Sequence, residues 1–149
     1  GLRSLQLVVA VAAIDGAVAT GTGELDVGPA PIRAFHGGAD DWAPAEPCRA
    51  YIDRLAAAVK DAAIIVYPDA RHAFDNEYAE PGVAGGAQSS RNCMRVERDG
   101  SLVNPDTGQP FTYADSCVET SPHFGYDASA TAAAREEVTA ALRAAFGLR

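Results

Sequence analysis

Two stretches decide the fold: Pro31-Ile32-Arg33-Ala34-Phe35-His36-Gly37-Gly38-Ala39-Asp40-Asp41-Trp42-Ala43-Pro44 and Tyr67-Pro68-Asp69-Ala70-Arg71-His72-Ala73-Phe74-Asp75. In the first, a short apolar strand (Ile32 to Phe35) runs into a Gly-Gly turn that presents an acid. In the second, the apolar run Ala62–Tyr67 leads into a turn that presents a histidine. Between them, Ala45 to Val59 reads as an amphipathic helix. Cys48, Tyr51, Ile52, Leu55 and Val59 make one apolar stripe, and Glu46, Arg49, Asp53 and Arg54 occupy the other face. Pro44 and Pro47 suit its first turn, where a missing N–H costs nothing. The unbroken apolar character of Ala62–Tyr67 predicts a strand buried on both faces of a parallel sheet. Strand, helix and strand make one βαβ unit.

Outward from that unit, Leu5 to Ala13 is an Ala/Val-rich run. Val8-Val9 and the following Asp15-Gly16 favour a strand ending in a turn, and residues 16–30 read as loop. Ser129 to Phe146 is a second helix with Ala134, Val138, Leu142 and Ala145 as its stripe. Asp127 or Ser129 can cap its start, and Gly147 ends it. Residues 76–125 have no strong periodicity, the mark of a lid, a binding loop or a disordered segment. Asp99-Gly100 and Asn104-Pro105 signal turns, and Ser101-Leu102-Val103 is expected to form a hairpin with Phe111-Thr112-Tyr113.

The 149 residues are 48% hydrophobic, enough for one domain with a real core. Lys+Arg of 12 against Asp+Glu of 20 gives a net charge of −8. With no basic stripe, nucleic acid and anionic membrane are poor partners. No apolar run reaches the length of a membrane span, and no leader pattern is visible. Of the three cysteines, Cys93 and Cys117 lie in the irregular region and Cys48 on the predicted helix. The reading adopted is a Cys93–Cys117 disulfide stapling the loop, with Cys48 buried and reduced. Loop closure of this kind contributes on the order of 3 kcal/mol. It implies an oxidising compartment, extracellular or periplasmic; the alternative is three free thiols.

Asp40 and His72 each follow a strand. If those strands are parallel neighbours, both side chains emerge at one sheet rim, where open α/β sheets bind ligands. A carboxylate accepting from His72 Nδ1–H would fix the ring's tautomer and stabilise the imidazolium formed when His72 takes a nucleophile's proton. The plainer alternative is a turn in which Asp41 caps the following helix. Trp42 and Phe74 flank the acid and the base; they could line an apolar substrate pocket or pack in the core. His36, His72, His123, Asp40 and Cys93 are metal-ligand types, but no zinc-site spacing links them, so no metal is expected. His36 reads as a strand-end residue satisfied by backbone, and His123 as a loop residue. No nucleotide-binding glycine motif occurs, and no organic cofactor is expected.

Taken together, these stretches resemble the dienelactone hydrolase family of α/β-hydrolases. The likeness extends through Pro47-Cys48-Arg49-Ala50-Tyr51, Ser90-Arg91-Asn92-Cys93, Asn104-Pro105-Asp106-Thr107-Gly108-Gln109-Pro110-Phe111, Cys117-Val118-Glu119 and Gly125-Tyr126-Asp127. The resemblance implies that Asp40 is the acid of a nucleophile–acid–histidine triad, three residues after Gly37, and that His72 is the base. It implies hydrolysis of a carboxylic ester or lactone. The nucleophile of that family sits in a G-x-[SC]-x-G elbow, which does not occur here. The serine nearest the start, Ser4, lacks the second glycine, and no cysteine precedes Asp40. The expectation is a single domain over 1–149, a partial α/β-hydrolase fold corresponding to the C-terminal half. A complementary N-terminal chain or a homo-oligomer would complete it. The alternative is a non-catalytic, structural or self-assembling protein derived from such a hydrolase.

Overall fold

A computed structural model describes residues 8–10, 31–58 and 61–148. Strands β1 (Val8–Ala10), β2 (Ile32–Gly37) and β3 (Ala62–Tyr67) form a parallel sheet in the order β1-β2-β3. Helix α1 (Ala45–Ala57) connects β2 to β3. The register pairs Ile32 with Ala62 and Gly37 with Tyr67, so both strands end at the same rim. Of the Leu5–Ala13 run only Val8–Ala10 is described, and it is a strand; the rest of that reading, the 16–30 loop and the expected helix end at Val59 lie outside the described residues.

The two faces of the sheet follow from strand alternation. Ala34 packs with Cys48, Ile52 and Leu55 of α1, with Ile32, Ala62 and Ile64 against them. Phe35 points the other way and packs with Ala70, Phe74, Ala130 and Ala134, flanked by Ile65, Tyr67 and Val138. Helix α2 (Ala128–Phe146) supplies that second layer. Of the two caps the sequence offers, Asp127 is the one used, accepting from Ala130 N–H, and Ser129 lies inside the helix; Gly147 closes it in the left-handed region at φ 64°. The third strand departs from expectation. β3 is only partly buried, and Ala63 is exposed. Its apolar composition anticipated cover on both faces, but among the described residues it is an edge strand, and β2 is the one with a strand on each side.

Leu55 has no solvent exposure and sits where α1 meets the sheet. Leu55→Ala is expected to lower unfolding stability by about 2–5 kcal/mol, the transfer loss plus an unfilled cavity. Urea denaturation of the two chains checks this; a change under about 1 kcal/mol would show that α1 is not part of the cooperative core.

The irregular region holds three small antiparallel ladders: β4 (Gly82–Val83) with β9 (His123–Phe124), β5 (Gln88–Ser89) with β8 (Glu119–Thr120), and β6 (Val96–Arg98) with β7 (Ser101–Val103). The expected hairpin is therefore corrected. Ser101–Val103 pairs with Val96–Arg98 across Asp99-Gly100, not with Phe111–Tyr113. Both turn residues have positive φ, 49° and 76°, the geometry that lets a two-residue loop follow the strand twist. The 111–113 segment touches β7 only through Phe111 N–H to Leu102 C=O (2.8 Å) and a bridge from Pro110 to Val103. The Cys93–Cys117 disulfide is present, and Cys48 is free and buried; burial pushes its thiol pKa up, with Arg49 opposing weakly.

Candidate active site

The rim of the sheet places an acid turn beside a histidine turn. β2 ends at Gly37, and the chain then reverses through Gly38 and Ala39 to Asp40. Gly38 N–H donates to Tyr67 C=O (2.7 Å) and Ala39 N–H to Ala70 C=O (2.9 Å), so the two turns are joined by backbone before any side chain is considered. On its other flank the histidine turn is held by Gly125 N–H to His72 C=O and Asp127 N–H to Phe74 C=O, both 2.9 Å. Ala73, next to His72, takes φ 58°, a left-handed conformation that a residue with a Cβ adopts only where its surroundings require it.

Asp40 uses both carboxylate oxygens. Oδ1 accepts from Trp42 N–H and Ala43 N–H, each at 2.9 Å. Oδ2 lies 3.0 Å from His72 Nδ1. The carboxylate is thus aimed by two backbone donors, and its remaining oxygen holds the imidazole. The Trp42 ring stands over the His72 ring, centroids 4.7 Å apart, and Trp42 Nε1–H donates to Gln88 C=O (3.1 Å). The bond to Asp40 raises the His72 pKa above the usual imidazole value; burial opposes this, and the charges of Asp40 and Asp75 add to it.

Asp41 does not cap α1. The residue before that helix is Pro44, and no side chain caps it. Asp41 instead forms a second aspartate–histidine pair. Its Oδ1 accepts from His123 N–H and its Oδ2 lies 2.8 Å from His123 Nδ1. Arg91 Nη1 reaches Asp41 Oδ2 at 3.1 Å and the Asp41 carbonyl at 2.8 Å, while Nη2 pairs with Glu119. Burial acts to raise the Asp41 pKa, but the side-chain and backbone bonds from His123 and the bond from Arg91 outweigh it and hold the carboxyl below the ordinary range. His123, expected to be a plain loop residue, is therefore part of a polar network with Asp41, Arg91 and Glu119. Nothing periodic marks these residues. The one sequence signal was that Ser90-Arg91-Asn92-Cys93 and Cys117-Val118-Glu119 fall inside the family-like stretches.

The other named positions fall elsewhere. Phe74 is buried in the core against Phe35 and α2, and its ring forms part of a groove of about 360 Å³ with Asp75, Arg135, Val138 and Thr139. Trp42 belongs to the His72 side. His36 is buried, and its Nδ1 bonds to Gly37 C=O (2.9 Å). Ser89, fully buried, donates to the carbonyls of Asp41 and Trp42 and so serves the acid turn. Among the described residues no three His, Cys, Asp or Glu side chains gather as a metal site, and no helix is long and apolar enough to cross a membrane.

A profile described as the dienelactone hydrolase family matches residues 4–146 of this chain. A Yersinia pestis protein that carries the provisional name carboxymethylenebutenolidase is 44% identical over 59 residues, which is 40% of this chain. The matched stretch spans 22% of that relative's length. No solved structure matches.

Proposed function

The chain belongs to the dienelactone hydrolase family, and from that premise we propose that it carries the acid and the base of an ester hydrolase acting on carboxylic esters or lactones. One observation supports this above all: Asp40 Oδ2 stands 3.0 Å from His72 Nδ1 where two neighbouring parallel strands end. Asp40 keeps the proton on Nδ1, which leaves Nε2 with its lone pair free. Nε2 takes the proton of the nucleophile as that group attacks the ester carbonyl, and Asp40 stabilises the imidazolium. The imidazolium then gives the proton to the departing alkoxide. Water, activated by the same nitrogen, hydrolyses the acyl intermediate and regenerates the nucleophile.

In this reading the nucleophile is supplied from outside this chain or by a residue of it that no motif marks. Among the described candidates, Ser89 is committed to two carbonyls, Cys93 and Cys117 are joined, and Cys48 is buried on the α1 face. In this reading the described parallel sheet belongs to a fold of α/β-hydrolase type. The Cys93–Cys117 disulfide supports an oxidising compartment, outside the cytosol, as its place of work. The second reading, a non-catalytic structural or self-assembling protein, is favoured by one fact: no G-x-[SC]-x-G elbow occurs anywhere in the sequence.

The test is turnover of a p-nitrophenyl ester by the purified material, with its intact mass recorded to reveal any second polypeptide, beside His72→Ala. Activity lost in the variant supports the hydrolase; equal rates in both, or none in either once every co-purifying chain is accounted for, supports the second reading. The pH dependence has a definite sign. Only neutral His72 can act as base, so the rate rises with pH through a midpoint above that of free imidazole. Because the folded-state pKa is raised, the ionic Asp40–His72 bond stabilises the fold below the unfolded histidine's pKa and is lost as pH climbs through the folded one. Activity and this part of stability therefore run in opposite directions across the same window.

A further inference from the structure

We infer that Arg91 and His123 are positioning residues, which grip Asp41 and so fix the turn that aims Asp40 at His72. The inference rests on the reading of Asp40 and His72 as acid and base. Two consecutive carboxylates leave this turn in different directions, Asp40 to His72 and Asp41 to His123 and Arg91. Up to Ala39 the turn is tied by backbone to the histidine turn. Beyond it, the ties come from the long segment 88–123: Ser89 Oγ to the carbonyls of Asp41 and Trp42 (3.1 and 3.0 Å), Gln88 C=O to Trp42 Nε1, Arg91 to the carbonyl and carboxylate of Asp41, and two bonds from His123.

The grip is itself pre-set. β5 pairs with β8 so that Ser89 faces Glu119, and the Cys93–Cys117 bond closes the same pair of segments beyond them. Arg91 lies between these two fastenings, with one guanidinium nitrogen on Glu119 and the other on Asp41. A planar fork held on one side presents its other N–H groups with little further loss of freedom. The segment without periodicity thus has a physical task, bracing the acid turn from the side the sheet does not reach.

Histidine titration by NMR on the full chain separates this from a merely structural role. The charged groups that raise the His72 pKa are Asp40 and Asp75. Removing the Arg91 cation would by direct electrostatics move the His72 midpoint up. Loss of aim at Asp40 would move it down. Arg91→Met and His123→Leu are expected to lower the midpoint, and His123→Gln, whose amide can still donate to Asp41, to restore most of it. Asp40→Asn, run alongside, is expected to lower it as well. A midpoint unchanged or raised in Arg91→Met, with Asp40→Asn lowered, overturns the inference and leaves the acid–base reading standing. No change in Asp40→Asn overturns both. Should Arg91→Met fail to fold by circular dichroism, the contrast between His123→Leu and His123→Gln decides: equal midpoints refute the inference.

Discussion

Asp40→Asn is expected to reduce ester turnover by about 10³–10⁴-fold while leaving the chain folded. The reason lies in how the carboxylate divides its oxygens. Oδ1 accepts from two backbone donors, Trp42 N–H and Ala43 N–H, and Oδ2 faces one imidazole nitrogen. An asparagine has a single carbonyl oxygen, and two fixed donors claim it. Its NH₂ group is then turned to His72 Nδ1. A ring that meets a donor there must offer its lone pair at Nδ1 and carry its proton on Nε2, so the nitrogen needed as base is already protonated. The backbone bonds survive, so stability falls by no more than about 1 kcal/mol. Comparison of kcat/KM for a p-nitrophenyl ester in the two proteins, in the same assembly and at a pH above the His72 midpoint, checks this. A loss below about tenfold would mean that Asp40 does not govern the tautomer.

Gly37→Ala is expected to cost about 3 kcal/mol and to part the acid from the base. Gly37 has no positive φ that would demand a glycine, so the obstacle is space. A Cβ there would lie 2.5 Å from Ala70 O, 2.9 Å from Ala70 C and 2.9 Å from Arg71 O. These are backbone atoms of the histidine turn and cannot swing aside. Relief requires the turn to move as a body, which stretches Ala39 N–H to Ala70 C=O and Gly38 N–H to Tyr67 C=O. His72 would be carried away from Asp40 in the same movement. Gly85→Ala is the control, since a Cβ at Gly85 meets nothing within 4 Å. Denaturation curves and the His72 titration should both shift for Gly37→Ala and neither for Gly85→Ala. Unchanged stability in Gly37→Ala would show that the two turns are not held in close contact.

The β2–α1–β3 unit, α2 with its Asp127 cap, and the Asp99-Gly100 turn were legible because each is a local pattern: an apolar face repeating at the period of its element, or a residue type that one backbone geometry requires. The pairing of Asp40 with His72 was legible one step further, on the condition, which the structure meets, that the two strands are parallel neighbours and so deliver the turns that follow them to a common rim. The exposure of β3 was not legible. Composition says what a strand tolerates, and position in the sheet decides what covers it. The partner of Ser101–Val103 was missed for a related reason, because strands of three residues carry too little alternation to distinguish one neighbour from another.

By its own sequence this chain determined a parallel sheet between two helices, an acid and a histidine at the sheet's carboxyl rim, and a family likeness in the order of those motifs. Only the tertiary structure decided that Asp41 belongs to His123, 82 positions away, and to Arg91, 50 positions away, and that the long irregular segment braces the acid turn. Hydrophobic periodicity records which face of an element is hidden from water. Hydrogen bonds between single polar groups on distant loops hide almost no surface and repeat at no interval, so they leave no period to read and exist only once the chain has closed on itself.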